Sequence, residues 1–220
     1  MFHVIQSWDD GIVDDIRLAD ICRKHRAKAS FNLNPGLHGS KRGDGWKFGE
    51  KDVMRLARNE LEQVYRGFEI ANHTMTHPHL TSLSPDRFET EIRDARKILQ
   101  DWFGQAIDGF CYPYGTCTGE AQKVVEATGH VFARHSENLG MIAASPSFRL
   151  IKPHGHFTTP DFWSLYELAK KGDGYFFFWG HSYEMVSEKM WQEYDSALKK
   201  ISDDPDAVWM TLGEFARIER

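Results

Sequence analysis

Residues 2–11 of the chain read FHVIQSWDDG. The run from Phe2 to Trp8 is apolar enough to form a short β-strand, and it leads into two adjacent carboxylates, Asp9 and Asp10, and a glycine. Beyond this turn, apolar residues recur at helical spacing, at Ile12, Ile16, Ala19 and Cys22. The stretch therefore predicts a strand, an acidic turn and a helix, which together form the first unit of an alternating β–α chain.

The same alternation continues to the end of the chain. Strands are predicted at residues 28–33, 68–71, 130–134, 175–179 and 207–211, with another ending near Cys111. Helices are predicted at 53–64, 84–102, 120–128, from 159 onward, at 187–201 and at the C-terminus, while the Gly-rich residues 36–50 are predicted to form a long loop. About seven β–α units without a linker predict one α/β domain over residues 1–220. A closed or nearly closed barrel suits seven units, and an open doubly wound sheet is the alternative.

Composition excludes several classes of protein. The 220 residues are 41% hydrophobic and 27% charged, which is unlike a disordered, collagen-like or coiled-coil chain. A net charge of -5 without a basic block argues against nucleic acid or an anionic membrane as a partner. The three cysteines form no C-x-x-C pair, so neither a disulfide framework nor a Cys-rich zinc site is expected. Without a signal-like segment or a long apolar run, we expect a cytoplasmic protein.

Histidines and acids at the predicted strand ends indicate a metal site. Adjacent carboxylates such as Asp9 and Asp10 repel each other and need a cation or a proton, although a lone DDG is more often a solvated turn. In an extended segment the two side chains would point to opposite sides and could do different jobs. His73 and His77 are four residues apart, a spacing that shares one face of a helix. One Asp with two His is a three-ligand set that leaves room for water, as a catalytic divalent metal requires. Asp10, His73 and His77 would bind the metal, while Asp9 and His181 would move protons.

Five segments taken in order carry a family resemblance. They are residues 7–11 (SWDDG), 69–78 (EIANHTMTHP), 111–115 (CYPYG), 178–181 (FWGH) and 208–214 (VWMTLGE). In this order they resemble the motifs of the polysaccharide deacetylases with a NodB homology domain, carbohydrate esterase family 4. The resemblance covers nearly the whole chain and implies a deformed (β/α)7 barrel.

The resemblance also implies roles for single residues. Asp10, His73 and His77 would be the metal ligands. Asp9 would be the general base and His181 the general acid. The backbone N–H of Tyr114 would stabilise the oxyanion. On the substrate side, Trp179 is expected to reach the acyl pocket, and Tyr112 and Pro113 are expected to contact the substrate.

Two departures from the family pattern concern the surroundings of Asp9 and His181. Cys111 stands where the family usually has an Arg, and the fourth motif, usually D-x-x-D-W, has no clear counterpart in residues 134–138. Arg134 could supply the missing cation, or it could be a surface arginine. Glu184 could orient His181, or it could be a solvated loop carboxylate.

Three other features receive a structural interpretation. Asp14 and Asp15 are interpreted as first-turn acids favoured by the helix dipole. His154 and His156 are interpreted as loop residues, with a place along the substrate cleft as the alternative. Trp46, in the predicted long loop, is interpreted as a surface residue, with sugar contact as the alternative.

The metal-ligand set predicts a metal-dependent hydrolase, and the resemblance implies that it removes acetyl groups from an N- or O-acetylated carbohydrate. Zinc suits two imidazoles and a carboxylate best, and cobalt, nickel or manganese also fit that set. Two alternatives remain: a hydrolase of small non-sugar amides on the same fold, and a sugar-binding homologue with little turnover. Nucleic acid and membrane partners are not expected.

Overall fold

The computed structural model describes residues 1–135, 148–172 and 174–218. The strands in these ranges are β1 (Phe2–Asp9), β2 (Ser30–Leu33), β3 (Gly43–Phe48), β4 (Lys51–Arg55), β5 (Glu69–Asn72), β6 (Gly109–Cys111), β7 (Phe132–Arg134), β8 (Arg149–Ile151), β9 (Gly155–His156), β10 (Tyr175–Gly180) and β11 (Ala207–Met210). The helices are α1 (Asp15–Lys24), α2 (Arg58–Val64), α3 (Pro85–Phe103), α4 (Gly119–Ala127), α5 (Phe162–Gly172), α6 (Glu188–Ser202) and α7 (Leu212–Ile218). None of these helices combines the length and the apolar character that crossing a bilayer requires.

The main sheet is parallel and follows the chain order of a barrel. Its strands run β8-β7-β6-β5-β2-β1-β10-β9, and β11 pairs with the first half of β1. The order is sequential around a ring, with the only interruption in the described pairing between β8 and β9. An open doubly wound sheet would instead reverse its strand order at the centre. The α/β fold with a deformed barrel is therefore confirmed.

Strand β1 lies at the centre of this sheet. Seven of its eight residues are buried, because β10 covers one of its edges and β2 and β11 share the other. Burial on both faces explains why the apolar residues Val4 and Ile5 stand side by side rather than alternating with polar ones, and why Gln6 and Ser7 are buried with them. The strand therefore delivers Asp9, its last residue, to the interior of the sheet's carboxyl edge.

The helices follow the predicted pattern closely. In α3, the buried residues Phe88, Ile92, Ala95 and Leu99 are those of the predicted apolar stripe. Ser84 precedes α3 but makes no capping hydrogen bond, whereas Ser187 caps α6 by accepting from the Met190 N–H.

The region between β2 and α2 differs from the prediction. Residues 36–50 are not one long loop, and residues 53–64 are not one helix, because β3 and β4 form an antiparallel hairpin. Trp46 pairs with Val53 across the hairpin, and Gly49 makes the turn with a φ of 60°. Val53 is buried as a strand residue, so its helix-like spacing from Leu61 arises by coincidence.

Candidate active site

The predicted polar clusters meet at the carboxyl edge of the parallel sheet. Asp9 ends β1, His73 directly follows β5, Cys111 ends β6, Arg134 ends β7 and His181 directly follows β10. Parallel strands bring their carboxyl ends to the same edge, and in α/β barrels that edge carries the active site. Groups that are 172 positions apart in the chain therefore become neighbours.

Asp10, His73 and His77 form a cluster that fits a divalent metal. Their donor atoms all lie within 4.8 Å of one another. Asp10 Oδ1 is buried without a hydrogen-bond partner in the described part of the chain, and it lies 3.8 Å from His77 Nε2. The Cys111 carbonyl lies 2.8 Å from His73 Nδ1, which orients the other ring nitrogen of His73 toward the cluster. A carboxylate oxygen that has no hydrogen-bond partner and faces two imidazoles completes the kind of donor set that zinc binds.

The backbone around this cluster is unusual. Five non-glycine residues in the described ranges have a positive φ, and four of them surround the site: Asp10 at 82°, Thr74 at 68°, His77 at 55° and Tyr114 at 55°. Such conformations cost about 1–3 kcal/mol each and persist where the surrounding structure enforces them. Two expectations from the sequence are therefore wrong. His73 and His77 converge through a loop rather than a helix, and Asp10 is not extended.

Because Asp10 turns back, the two carboxylates do not point to opposite sides. His181 Nε2 lies 3.8 Å from Asp9 Oδ2 and 3.9 Å from Asp10 Oδ2. Gly11 continues the turn with a φ of 68°, and a Cβ there would lie 2.6 Å from the His38 ring. Only glycine fits this position without displacing His38.

Asn72 holds the loop that carries the two histidines. Its Oδ1 accepts a hydrogen bond from the Thr74 N–H at 2.9 Å, and its Nδ2 donates to the Ile92 carbonyl at 2.8 Å. The same amide nitrogen lies 3.1 Å from His130 Nε2. The Asn of the segment EIANH thus fixes, from inside the core, the start of the loop that carries His73 and His77.

The β3–β4 hairpin holds the loop that carries Asp10. Arg55, at the end of β4, is buried, donates from Nη1 to the Asp10 carbonyl at 2.5 Å and lies 3.6 Å from Asp10 Oδ1. The backbone N–H of Leu56 also donates to the Gly11 carbonyl at 3.0 Å. The Arg55 guanidinium lies over the Trp46 ring, whose edge contacts Tyr183. Trp46 therefore packs against Arg55 and Tyr183 beside the site and is not a residue of a surface loop.

Asp9 is held by two donors that leave it ionised. Arg134 Nη2 donates to Oδ2 at 2.5 Å, and Asn32 Nδ2 donates to Oδ1 at 2.6 Å. Burial alone raises the pKa of Asp9, but Arg134 foremost, with His73, His181 and Asn32, lowers that pKa well below its usual range. Arg134 is 1% exposed, so it is not a surface arginine. Of the two interpretations of Arg134 that the sequence allowed, the cation beside Asp9 is therefore the one that the structure supports.

His181 is oriented by a carboxylate on its far side. Glu184 Oε2 lies 3.3 Å from His181 Nδ1, accepts the His181 backbone N–H at 2.9 Å and lies 2.8 Å from His156 Nε2. Burial lowers the pKa of His181, but Glu184, Asp9 and Asp10 outweigh it and raise that pKa above its ordinary value. Glu184 is therefore not a solvated loop carboxylate, and His156 contacts it directly from β9.

The residues expected to contact the substrate differ in position. Trp179 is half-buried, lies over the Arg134 guanidinium and contacts the His181 ring at 5.5 Å between centroids. The Tyr114 ring is 55% exposed and stacks on His79, and in the described part of the chain its backbone N–H has no protein acceptor. Tyr112 and Pro113 are buried, Tyr112 to 1% exposure against Phe110. The side chain of Tyr112 thus packs in the core.

Two further groups of possible ligands lie nearby in the described residues. Asp9, His73 and Cys111 form one, but Asp9 is already paired with Arg134, and burial raises the pKa of the Cys111 thiol so that it stays protonated. The second, His156, His181 and Glu184, is joined by its own hydrogen bonds and ion pairs. Among these three groups, the Asp10 cluster is the one in which a carboxylate oxygen is buried without a hydrogen-bond partner among the described residues.

Comparison with known proteins decides the family. The family model of the polysaccharide deacetylases matches residues 2–133. The chain belongs to this family. The family and fold predicted from the sequence are thus confirmed, and the family supports the expected enzyme class, a hydrolase of carbon–nitrogen bonds other than peptide bonds. Of the expected fourth motif, residues 136–138 lie outside the described residues.

A curated relative is similar to this chain in sequence, and solved structures share its fold. YxkH of Bacillus subtilis (strain 168), which carries the name of a polysaccharide deacetylase, is 27% identical over 128 residues, 58% of this chain; the chain spans 42% of YxkH. The peptidoglycan deacetylase PdaC of Bacillus subtilis has a TM-score of 0.61 at 16% identity and covers 99% of this chain and 91% of its own. BA3943 of Bacillus anthracis, a CE4 family pseudoenzyme, has a TM-score of 0.62 at 15% identity, covering 97% of this chain and 65% of its own.

Proposed function

We propose that this protein is a metal-dependent deacetylase of an N- or O-acetylated carbohydrate. One observation carries the proposal: a largely buried Asp–His–His donor set lies beside an ionised carboxylate, Asp9, and an imidazole, His181. Because Asp9 stands near the start of the chain and His181 near its end, we also infer that residues 1–220 act as one catalytic domain.

The metal would be held by Asp10, His73 and His77. A divalent ion there, with zinc as the best match and cobalt, nickel or manganese as acceptable ones, would polarise the acetyl carbonyl and lower the pKa of a water molecule. Burial lowers the pKa of His73 to about 4 and also lowers the pKa of His77, so both rings are neutral near pH 7. A neutral imidazole is the form that binds a metal.

The remaining groups divide the proton transfers between them. Asp9, held ionised by Arg134, accepts the proton of the attacking water. The Tyr114 N–H donates to the oxyanion of the tetrahedral intermediate. His181 donates its proton to the leaving amine or hydroxyl, so that acetate and the deacetylated product separate. The raised pKa of His181 supports this role, because a general acid must carry its proton near neutral pH.

The fold by itself does not imply turnover, since BA3943 is described as a pseudoenzyme. What supports activity in this chain is the presence of both the acid and the base. Names of relatives also support a polymeric carbohydrate substrate: PdaC is described as acting on peptidoglycan, and YxkH is named for polysaccharides. We infer an acetylated saccharide for this chain on that ground.

A substrate panel tests the proposal. Acetate release is measured from N-acetylated and O-acetylated oligosaccharides and from small non-sugar amides, with wild type and Asp9→Asn side by side. Wild type is expected to act on the saccharides, and Asp9→Asn is expected to keep its metal but lose activity by about 10²–10⁴-fold, as for a lost general base. Hydrolysis of the small amides alone would contradict the carbohydrate assignment. Loss of metal in Asp9→Asn would show that Asp9 and Asp10 exchange roles.

A further inference from the structure

Asp15 is a fully buried carboxylate that the proposed chemistry does not use. It is the first residue of α1 and has no solvent exposure. Three donors reach it: Ser182 Oγ donates to Oδ1 at 2.5 Å, while Tyr65 Oη at 2.6 Å and the Ile12 N–H at 3.2 Å donate to Oδ2. The sequence suggested only a first-turn acid, a role that an exposed carboxylate fills equally well.

The three donors come from different parts of the site. Ile12 follows the metal-ligand Asp10 by two positions, and Ser182 directly follows His181, although Asp15 and Ser182 are 167 positions apart. The contacts between His181 and the two carboxylates are 3.8 and 3.9 Å long, beyond hydrogen-bond distance. Asp15 therefore makes a direct hydrogen-bonded bridge between the loop of Asp9 and Asp10 and the loop of His181.

We propose that Asp15 is a positioning residue, which fixes the distance between His181 and the groups around Asp9 and Asp10 by holding Ser182 and Ile12 on one rigid carboxylate. The role rests on the proposed function and deepens it. Proton donation to a leaving group depends steeply on distance, and a displacement of about 1 Å can cost about 10²-fold in rate. Burial raises the pKa of Asp15 to about 7, although its three hydrogen-bond donors act to lower it. Burying this carboxylate therefore costs free energy, and an acid at a helix start on the surface would avoid that cost.

Two matched variants test this role. Ser182→Ala removes the donor next to His181, whereas Tyr65→Phe removes another hydroxyl from the same carboxylate without touching either loop. Both delete one buried hydrogen bond, so their effects on stability should be similar. Each is assayed with an N-acetylated amino sugar, whose leaving amine needs a proton, and with nitrophenyl acetate, whose leaving group does not.

We expect Ser182→Ala to lower kcat on the acetylated amine by about tenfold with little change in KM, and to slow nitrophenyl acetate by less than about twofold. Tyr65→Phe should leave the ratio of the two rates as in wild type. Metal content should be unchanged in both. If Ser182→Ala does not fold, the nearly isosteric Ser182→Cys, with its weaker donor, should show an intermediate shift of the ratio.

Two outcomes would overturn the inference in distinguishable ways. In the first outcome, wild type is active, and Ser182→Ala (or Ser182→Cys) and Tyr65→Phe both show the wild-type ratio of the rates on the two substrates. Asp15 would then have no positioning role, and the proposed function would remain intact. A wild-type protein with its metal bound that releases no acetate from any acetylated saccharide or amide would instead overturn the proposed function, and the positioning role with it.

Discussion

Arg134 and Asp9 form a buried ion pair between the ends of β7 and β1, with 2.5 Å between Nη2 and Oδ2. Related deacetylases usually place their arginine at the position of Cys111, and here Cys111 Sγ lies against the same Nη2 atom. The cation beside Asp9 therefore comes from β7, the strand that pairs with the Cys111 strand β6. A change that looks like a lost functional residue in one motif is compensated by a residue outside it.

Arg134→Met should destabilise the protein and reduce its activity. Removing one partner of a buried ion pair leaves an uncompensated charge, at a cost of about 3–5 kcal/mol in the free energy of unfolding. Urea denaturation of the metal-free protein measures this cost. The double variant Asp9→Asn/Arg134→Met should recover part of the lost stability, because it no longer buries an unpaired carboxylate. Equal stability of wild type and Arg134→Met would show that the pair is not what holds Asp9.

His73→Ala should lose most of the bound metal, because two protein ligands hold a divalent ion far more weakly than three. Elemental analysis of protein dialysed against trace zinc measures the metal content per chain. His79→Ala is the matched control, since His79 lies six positions further along the same segment and belongs to none of the donor sets in the described residues. Metal content near wild type in His73→Ala would remove His73 from the ligands.

His181→Ala should affect substrates according to their leaving group. An amine must be protonated before it departs, whereas a nitrophenolate need not be, so loss of the general acid should slow the acetylated amine by at least about 10²-fold and nitrophenyl acetate far less. Metal content is measured in parallel and should stay unchanged. An equal loss of rate on both substrates with metal retained would assign His181 to acyl positioning or to the oxyanion instead.

Stability should fall on acidification partly through His130. This ring is buried, with Nδ1 3.2 Å from the Val125 carbonyl and Nε2 accepting from Asn72, an arrangement that requires the neutral form. Burial lowers the pKa of His130 from 6.5 to about 3. Between pH 6.5 and about pH 3 the unfolded chain therefore binds more protons than the folded chain. The contribution of neutral His130 to the free energy of unfolding is thus complete above pH 6.5 and is lost as the pH falls toward 3.

The slope of the free energy of unfolding against pH tests this contribution. One such group adds up to about 1.4 kcal/mol per pH unit. His130→Gln should flatten the slope between about pH 6 and pH 4 by up to that amount, measured by urea denaturation in chelator to exclude metal release. Parallel curves for wild type and His130→Gln, differing only by a constant, would show that His130 does not titrate in this way.

The sequence predicted the parts of the fold that depend on local pattern. The seven strands expected from apolar runs are present as β1, β2, β5, β6, β7, β10 and β11. The β3–β4 hairpin was missed because its strands are short, Gly-rich and charged, and because Val53 and Leu61 mimic a helical spacing. The strands β8 and β9 were also missed, and β9 has only two residues, which is too few to show a period.

The candidate site was predictable where residue type and order carry the chemistry, as for Asp10, His73 and His77. It was not predictable where tertiary burial decides a role. In the sequence nothing distinguishes Asp15, His156 and Arg134 from other polar residues. Only the fold places them beside Ser182, Glu184 and Asp9, respectively. The positive φ of Asp10 also has no local signal beyond the following glycine, yet it decides that both carboxylates face His181.

Metal-dependent deacetylation is tested by measuring acetate release from an acetylated oligosaccharide before and after complete removal of divalent metal. Removal is verified by elemental analysis, and zinc, cobalt, nickel and manganese are then added back separately. Activity should disappear with the metal and return when a divalent ion is restored to wild type but not to His73→Ala. Acetate release at the wild-type rate from fully metal-free protein would contradict this dependence on metal.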